Sequence, residues 1–146
     1  MTDPVLTQAN IYPALTYDDA PGAIEWLCRA FGFTQRLVVP GSDGAIAHSE
    51  LSLGSGVIMV SSPKPEMGRV GAGSLPAVSQ CISVWIENPD THYERAKAAG
   101  AEIVHELQDE EYGSRGYMAK DVEGNLWYFG TYQPGAYWDE SPSAGE

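Results

Sequence analysis

The sequence predicts an α+β chain in which two tandem βαβββ units form a curved mixed sheet around a cup. Three observations predict it. A pattern of strand, helix cap, helix and glycine over residues 11–33 returns over residues 82–101. In both copies the glycine that ends the helix stands 24 residues before the glycine of the last turn, Gly32 before Gly56 and Gly100 before Gly124. Between the copies, residues 61–79 are dense in Pro, Gly and Ser and read as a join rather than an element.

The elements follow in order. Ile11, Leu15 and Tyr17 mark the first strand, Asp19 caps a helix with Pro21 in its first turn, and Ile24, Leu27, Cys28 and Phe31 recur at helical spacing until Gly32. Strands are then expected over residues 34–39, 45–53 and 57–62. In the second copy Ile82, Val84 and Ile86 precede an Asn88 cap and Pro89. Tyr93, Ala96 and Ala99 recur three apart before Gly100, and strands are expected over 102–107, 115–120 and 125–131. The whole is one domain over 1–146: a first unit over 9–62, a Pro/Gly-rich connector over 63–79, a second unit over 80–133 and an acidic tail over 134–146.

Composition bounds the partners. A chain of 146 residues, 43% of them hydrophobic, is long enough for one core and too short for two independent domains. With 8 Lys and Arg against 20 Asp and Glu, the formal charge is −12, which repels nucleic acid and anionic membranes and favours neutral or cationic ligands. No apolar run approaches the roughly 18 residues of a membrane span, and MTDPVLTQAN lacks a signal-peptide layout, so the expected address is cytoplasmic. Cys28 and Cys81 lie in apolar stretches and are expected as free thiols in buried positions rather than as a disulfide.

Two motifs identify a family. The run P-x-L-x-x-x-D-x-x-x-A-I-x-W-x-x-x-A-F-G-F (Pro13 to Phe33) and the run G-x-R-G-Y-M-x-x-D-x-E-G-N-L-W-x-F (Gly113 to Phe129) resemble the glyoxalase/bleomycin-resistance, or vicinal oxygen chelate (VOC), superfamily, in its PhnB-like branch. The resemblance covers residues 10 to 133 and implies the doubled βαβββ fold, with a small-molecule ligand in the cup. Members commonly assemble the cup from units of two chains, so it also implies a homodimer. It does not choose among the unlike chemistries this fold hosts.

Metal-dependent members place a His, Glu or Gln on the first and last strand of each unit. Counted from the glycines, the matching positions here are Tyr12, Val60, Cys81 and Tyr128, a set with one competent donor at most. No metal and no other cofactor is therefore expected. Strand alternation turns Tyr12 and Thr16 toward the cup from the first strand, Cys81, Ser83 and Trp85 from its counterpart, and Tyr128 from the last. Tyr117 is taken to join them from the strand of Arg115. An aromatic-lined hollow in an acidic chain suits a flat, apolar or cationic compound, as in bleomycin-resistance-like sequestration.

Other candidates keep two readings each. His48 and Glu50 share a strand face, as an acid/base pair or as polar residues at the cup rim. They are the catalytic candidates of the alternative function, a glyoxalase-like lyase, isomerase, dioxygenase or thiol-conjugating enzyme that could also draw on Cys81. Arg115 either meets an acidic ligand group or pairs with Asp109, Glu110 or Glu111. His105 is either a core histidine or an edge residue, and His92, early in the second helix among charged neighbours, is expected at the surface.

Overall fold

The computed structural model describes residues 9–138. The first unit runs β1 (Ala14–Thr16), α1 (Ala20–Phe31), β2 (Thr34–Pro40), β3 (Ile46–Leu53) and β4 (Gly56–Ser61); the second runs β5 (Cys81–Trp85), α2 (Pro89–Ala98), β6 (Glu102–Asp109), β7 (Arg115–Lys120) and β8 (Leu126–Gly130). Each unit makes its own four-stranded sheet, in the orders β1-β4-β3-β2 and β5-β8-β7-β6. In both, the first and last strands pair in parallel and the others are antiparallel. The doubled βαβββ fold is thus as the sequence predicts. The stretch 1–8 read for a leader, and residues 139–146 of the expected acidic tail, lie outside the described residues.

Both helices obey local punctuation. The Asp19 side chain accepts from the backbone N–H of Gly22 at 3.1 Å, satisfying a donor that the first turn leaves free. Gly32 ends α1 with φ 89°, a left-handed conformation that a side chain would oppose, and its N–H returns to the Cys28 carbonyl. In α2, Asn88 accepts from the Thr91 N–H at 3.2 Å and Pro89 opens the first turn.

The helix-bearing faces of the two sheets share one interior. Leu15, Leu51, Ile58 and Val60 from the first sheet and Tyr117, Ala119, Trp127 and Phe129 from the second belong to a single buried cluster with α1 and α2. The end of α1 crosses the boundary: Phe31 lies 4.6 Å from Phe129, and Phe33 lies 5.7 Å from Trp127, ring centre to ring centre. Burying each such ring contributes about 1.5–3 kcal/mol. Polar bonds span the same seam. The Trp26 indole donates to the Ala99 carbonyl, Arg95 donates to the Arg29 and Cys28 carbonyls, and Tyr17 donates to Asp121.

His92 is in this seam and not at the surface. Its Nε2 lies 2.8 Å from the Phe31 carbonyl oxygen, its Nδ1 lies 2.6 Å from the Tyr117 hydroxyl, and its ring lies 4.2 Å from that of Phe129. The charged neighbours Asp90, Glu94 and Arg95 mislead because all three stay exposed while His92 turns inward among them, and Arg95 itself reaches across the seam to α1. The connector forms two 3₁₀ turns, Pro65–Met67 and Ala72–Ser74, and borders β1 across a depression of about 350 Å³ that Ala14, Thr16, Arg69, Leu75 and Val78 help line. No helix among the described residues is long and apolar enough to cross a membrane.

Candidate functional site

Because both sheets turn their helix-bearing faces into one core, their other faces look outward, and each unit carries its own. Cross-strand register assigns the residues. On the first sheet Ala14 opposes Met59, which opposes Glu50, and Thr16 opposes Ser61, so these side chains share the outward face with His48. On the second, Cys81 opposes Leu126, Ser83 opposes Tyr128 and Tyr128 opposes Met118. Parity adds Trp85 to this second face. Thr16, His48 and Glu50 therefore gather on one outward face, with Tyr12 in the segment that leads into it, and Cys81, Ser83, Trp85 and Tyr128 on the other. Within one chain the two sets are not brought together.

On the first face His48 Nε2 meets Glu50 Oε2 at 2.8 Å, with both side chains 40% exposed. The two are alternate residues of β3, so the pleat itself sets them side by side. Leu37 and Val39 of β2 oppose Glu50 and His48 and remain partly in water, 44% and 40% exposed. Tyr12 precedes β1 and its hydroxyl donates to the Ala9 carbonyl.

The second face is more aromatic. Trp85 is 50% exposed. Tyr128 lies along its sheet over Gly116 and Gly130; a Cβ on Gly116 would stand 2.2 Å from the Tyr128 hydroxyl and 2.7 Å from the Phe129 carbonyl oxygen. Only glycine there lets the phenol lie flat. That hydroxyl is buried without a well-formed hydrogen bond, and burial, then Tyr112 and Glu110, pushes its pKa up. Cys81 is a free, exposed thiol rather than a buried one, yet desolvation beside the sheet raises its pKa, against a lowering by a backbone bond from Tyr128. It is a poor thiolate at neutral pH.

Two expected residues sit on the opposite side. Tyr117 opposes Phe129, which fixes it on the helix-bearing face, fully buried and hydrogen-bonded to His92. Burial pushes its phenol far above the usual range. Arg115 shares that face and is taken up by Asp90 at the start of α2 (2.9 Å) and by Asp109 (3.0 Å). The guanidinium holds the Asp90 carboxyl below the usual carboxylate range. Val60 is also turned into the core, since β3 and β4 meet at the two-residue turn 54–55 whereas β7 and β8 are joined by five residues, 121–125. Its outward neighbours are Met59 and Ser61. His105 opposes Met118 on the outward side of β6 and is exposed, an edge residue.

The donor set Tyr12, Met59, Ser61, Cys81 and Tyr128 does not suit the divalent ion that metal-dependent relatives carry, since it offers no carboxylate or imidazole. No cluster of three or more His, Cys, Asp or Glu placed to hold a metal occurs among the described residues. Sequence reasoning missed a cleft of about 460 Å³ at the seam of the units, lined by Phe33, Leu53, Ile58, Ile82, Val84 and Trp127. These residues read as core in the sequence, and only the meeting of the two sheets leaves a hollow between them.

Comparison with known proteins agrees with the fold. Residues 11–129 match the model of the Glyoxalase/Bleomycin resistance protein/Dioxygenase superfamily. The chain is 31% identical over 128 residues to the uncharacterized protein Mb0911c of Mycobacterium bovis, covering 83% of this chain and 84% of that one. Among solved structures it resembles TioX from Micromonospora sp. ML1, at 35% identity and TM-score 0.69 over 86% of this chain and 99% of that one. It also resembles a lactoylglutathione lyase from Agrobacterium tumefaciens, at 20% identity and TM-score 0.61 over 85% and 93%, a likeness of fold alone.

Proposed function

Since the chain belongs to the Glyoxalase/Bleomycin resistance protein/Dioxygenase superfamily, we propose that it is a metal-free small-molecule-binding protein that sequesters an aromatic or cationic compound in a cup completed by a second copy of the chain. The observation that carries the reading is the outward aromatic face of β5 and β8. Trp85 and Tyr128 offer stacking surface, and Trp85, Leu37, Val39 and Val104 leave apolar area in water that a partner would cover. Each chain carries one face of each kind, so a twofold dimer would set the first face of one copy against the second face of the other, twice. Each cup would then hold Trp85, Ser83, Cys81 and Tyr128 on one wall and Tyr12, Thr16, His48 and Glu50 on the other. A flat ligand would lie between them, and the acidic chain would favour a cationic group on it.

The His48–Glu50 pair supports a second reading, an enzyme of the lyase, isomerase, dioxygenase or thiol-conjugating kind. A carboxylate 2.8 Å from an imidazole is a competent proton-transfer pair. One experiment separates them. Purified protein is titrated with a flat acridinium dye while tryptophan fluorescence is followed, and its mass is measured by analytical ultracentrifugation. The binding reading expects a dimer, saturable quenching, a loss of about tenfold or more in affinity for Trp85→Ala, and unchanged affinity for His48→Ala. A monomer, or quenching indifferent to Trp85, overturns it.

A further inference from the structure

A second group of aromatic side chains lies beyond the end of β7 and β8, beside the cup residue Tyr128, whose phenol Tyr112 and Glu110 influence. Tyr112 at the tip of the β6–β7 hairpin meets Tyr132 edge to face, with centroids 5.3 Å apart and planes at 76°, and Tyr132 stacks on Tyr137 at 5.6 Å. Packing alone does not account for their number, since Tyr112 is 64% exposed, Tyr132 36% and Tyr137 43%. The hairpin is closed without them, by Glu110 N–H to the Ser114 carbonyl and Gly113 N–H to the Glu110 carbonyl, and the chain after β8 is anchored by Thr131 N–H to the Arg115 carbonyl. Three rings thus pack on one another while each residue keeps about a third or more of its surface in water, which is costly unless something covers it.

The charge around them has one sign. Glu110 and Glu111 immediately precede Tyr112 in the hairpin, and neither is in an ion pair among the described residues, whereas their neighbour Asp109 is neutralised by Arg115. No Lys or Arg lies over any of the three rings; the cation found over a ring among the described residues is Lys97 over Tyr93. An aromatic face is the negative pole of its ring and attracts a cation within about 6 Å of its centre. Two perpendicular ring walls beside uncompensated carboxylates suit a cation whose charge is spread over methyl groups, which pack against rings and give up little hydration.

We propose that Tyr112, Tyr132 and Tyr137, with Glu110 and Glu111, form a binding site for a small organic cation of the quaternary ammonium kind, bordering the cup wall at Tyr128 and complete within one chain. The probes are choline and its uncharged isostere 3,3-dimethyl-1-butanol, followed through the aromatic NMR resonances of the tyrosines. Choline is expected to shift the Tyr112 and Tyr132 resonances saturably, and the isostere to bind about tenfold more weakly. Tyr112→Leu abolishes the shift of Tyr132, Tyr112→Phe keeps affinity within about twofold, and Glu110→Gln with Glu111→Gln weakens it and flattens its salt dependence. Trp85→Ala leaves choline binding intact, so failure of the cup and failure of this site are told apart. Equal affinity for the isostere, unchanged binding in Tyr112→Leu, or no saturation up to about 50 mM choline overturns the proposal, the upper limit lying far above the millimolar range of a weak ligand. Because Tyr112 is exposed, its replacement leaves the fold in place, and the amide spectrum of each variant checks this.

Discussion

Asp121 ties a residue of the first unit to the β7–β8 turn of the second, and it does so through oxygens that have no water to fall back on. One oxygen accepts from the Tyr17 hydroxyl (2.6 Å) and the Trp127 indole (3.0 Å), and the other from the backbone of Glu123 and Asn125 (3.0 Å each). Asp121→Ala strands two buried side-chain donors, and a loss of about 3 kcal/mol is expected by urea unfolding. Tyr17→Phe removes a donor and leaves none orphaned, so it should cost only about 1 kcal/mol. Equal losses in the two variants would show that the carboxylate is not the hub. At this scale much was legible: alternation along one strand places Trp127 and Phe129 inward and Tyr128 outward. Tyr117 was misplaced because its face depends on its register with Phe129, which the length of the 121–125 turn decides and strand alternation cannot supply. Arg115 finds Asp90 25 residues away, a contact no local reading reveals.

The elements themselves were read nearly end to end, because caps and helix-ending glycines are local signals: Asp19 and Asn88 cap as their side-chain chemistry suggests, and Gly32 stops α1. Which face of α2 meets α1 was not legible, and His92 is the result. A carbonyl only accepts, so Nε2 must carry the proton toward Phe31, leaving Nδ1 bare to accept from Tyr117. Desolvation favours this neutral form in the fold. Burial first, and then Arg95, pushes its pKa below the ordinary value, against an upward pull from the Phe31 carbonyl. The unfolded chain takes up this proton near pH 6.5 and the folded chain only below that, so unfolded protein binds more protons in between. Stability is expected to be full above about pH 6.5 and to fall as pH drops toward the folded value, by at most about 1.4 kcal/mol per pH unit. Urea midpoints from pH 8 to 5 should show this slope in the wild type and a shallower one in His92→Gln; identical profiles would rule the histidine out as its source.

For the whole molecule, charge and shape pull in opposite directions. A chain of formal charge −12 resists meeting its own copy, while its outward apolar side chains favour it. Assembly should tighten as salt screens the repulsion, and sedimentation equilibrium in about 0.02 M and 0.5 M NaCl is expected to show a dissociation constant lower by tenfold or more at the higher salt. Weaker association at high salt would mean that the contact is built from ion pairs instead. The sequence announces the duplicated architecture through its spacing, but not that the two sheets stand back to back, because α1 ends in rings that suit either sheet.

That back-to-back placement divides the chain's labour. The side chains that hold the interior together are one set, and those that would touch a guest are another, drawn from alternate positions of the same strands. Substitutions at His48, Ser83 or Trp85 can accumulate without loosening the framework, so selection is free to rewrite what such a protein recognises while folding scarcely notices. A scaffold arranged in this way is well placed to be inherited by descendants with unrelated trades.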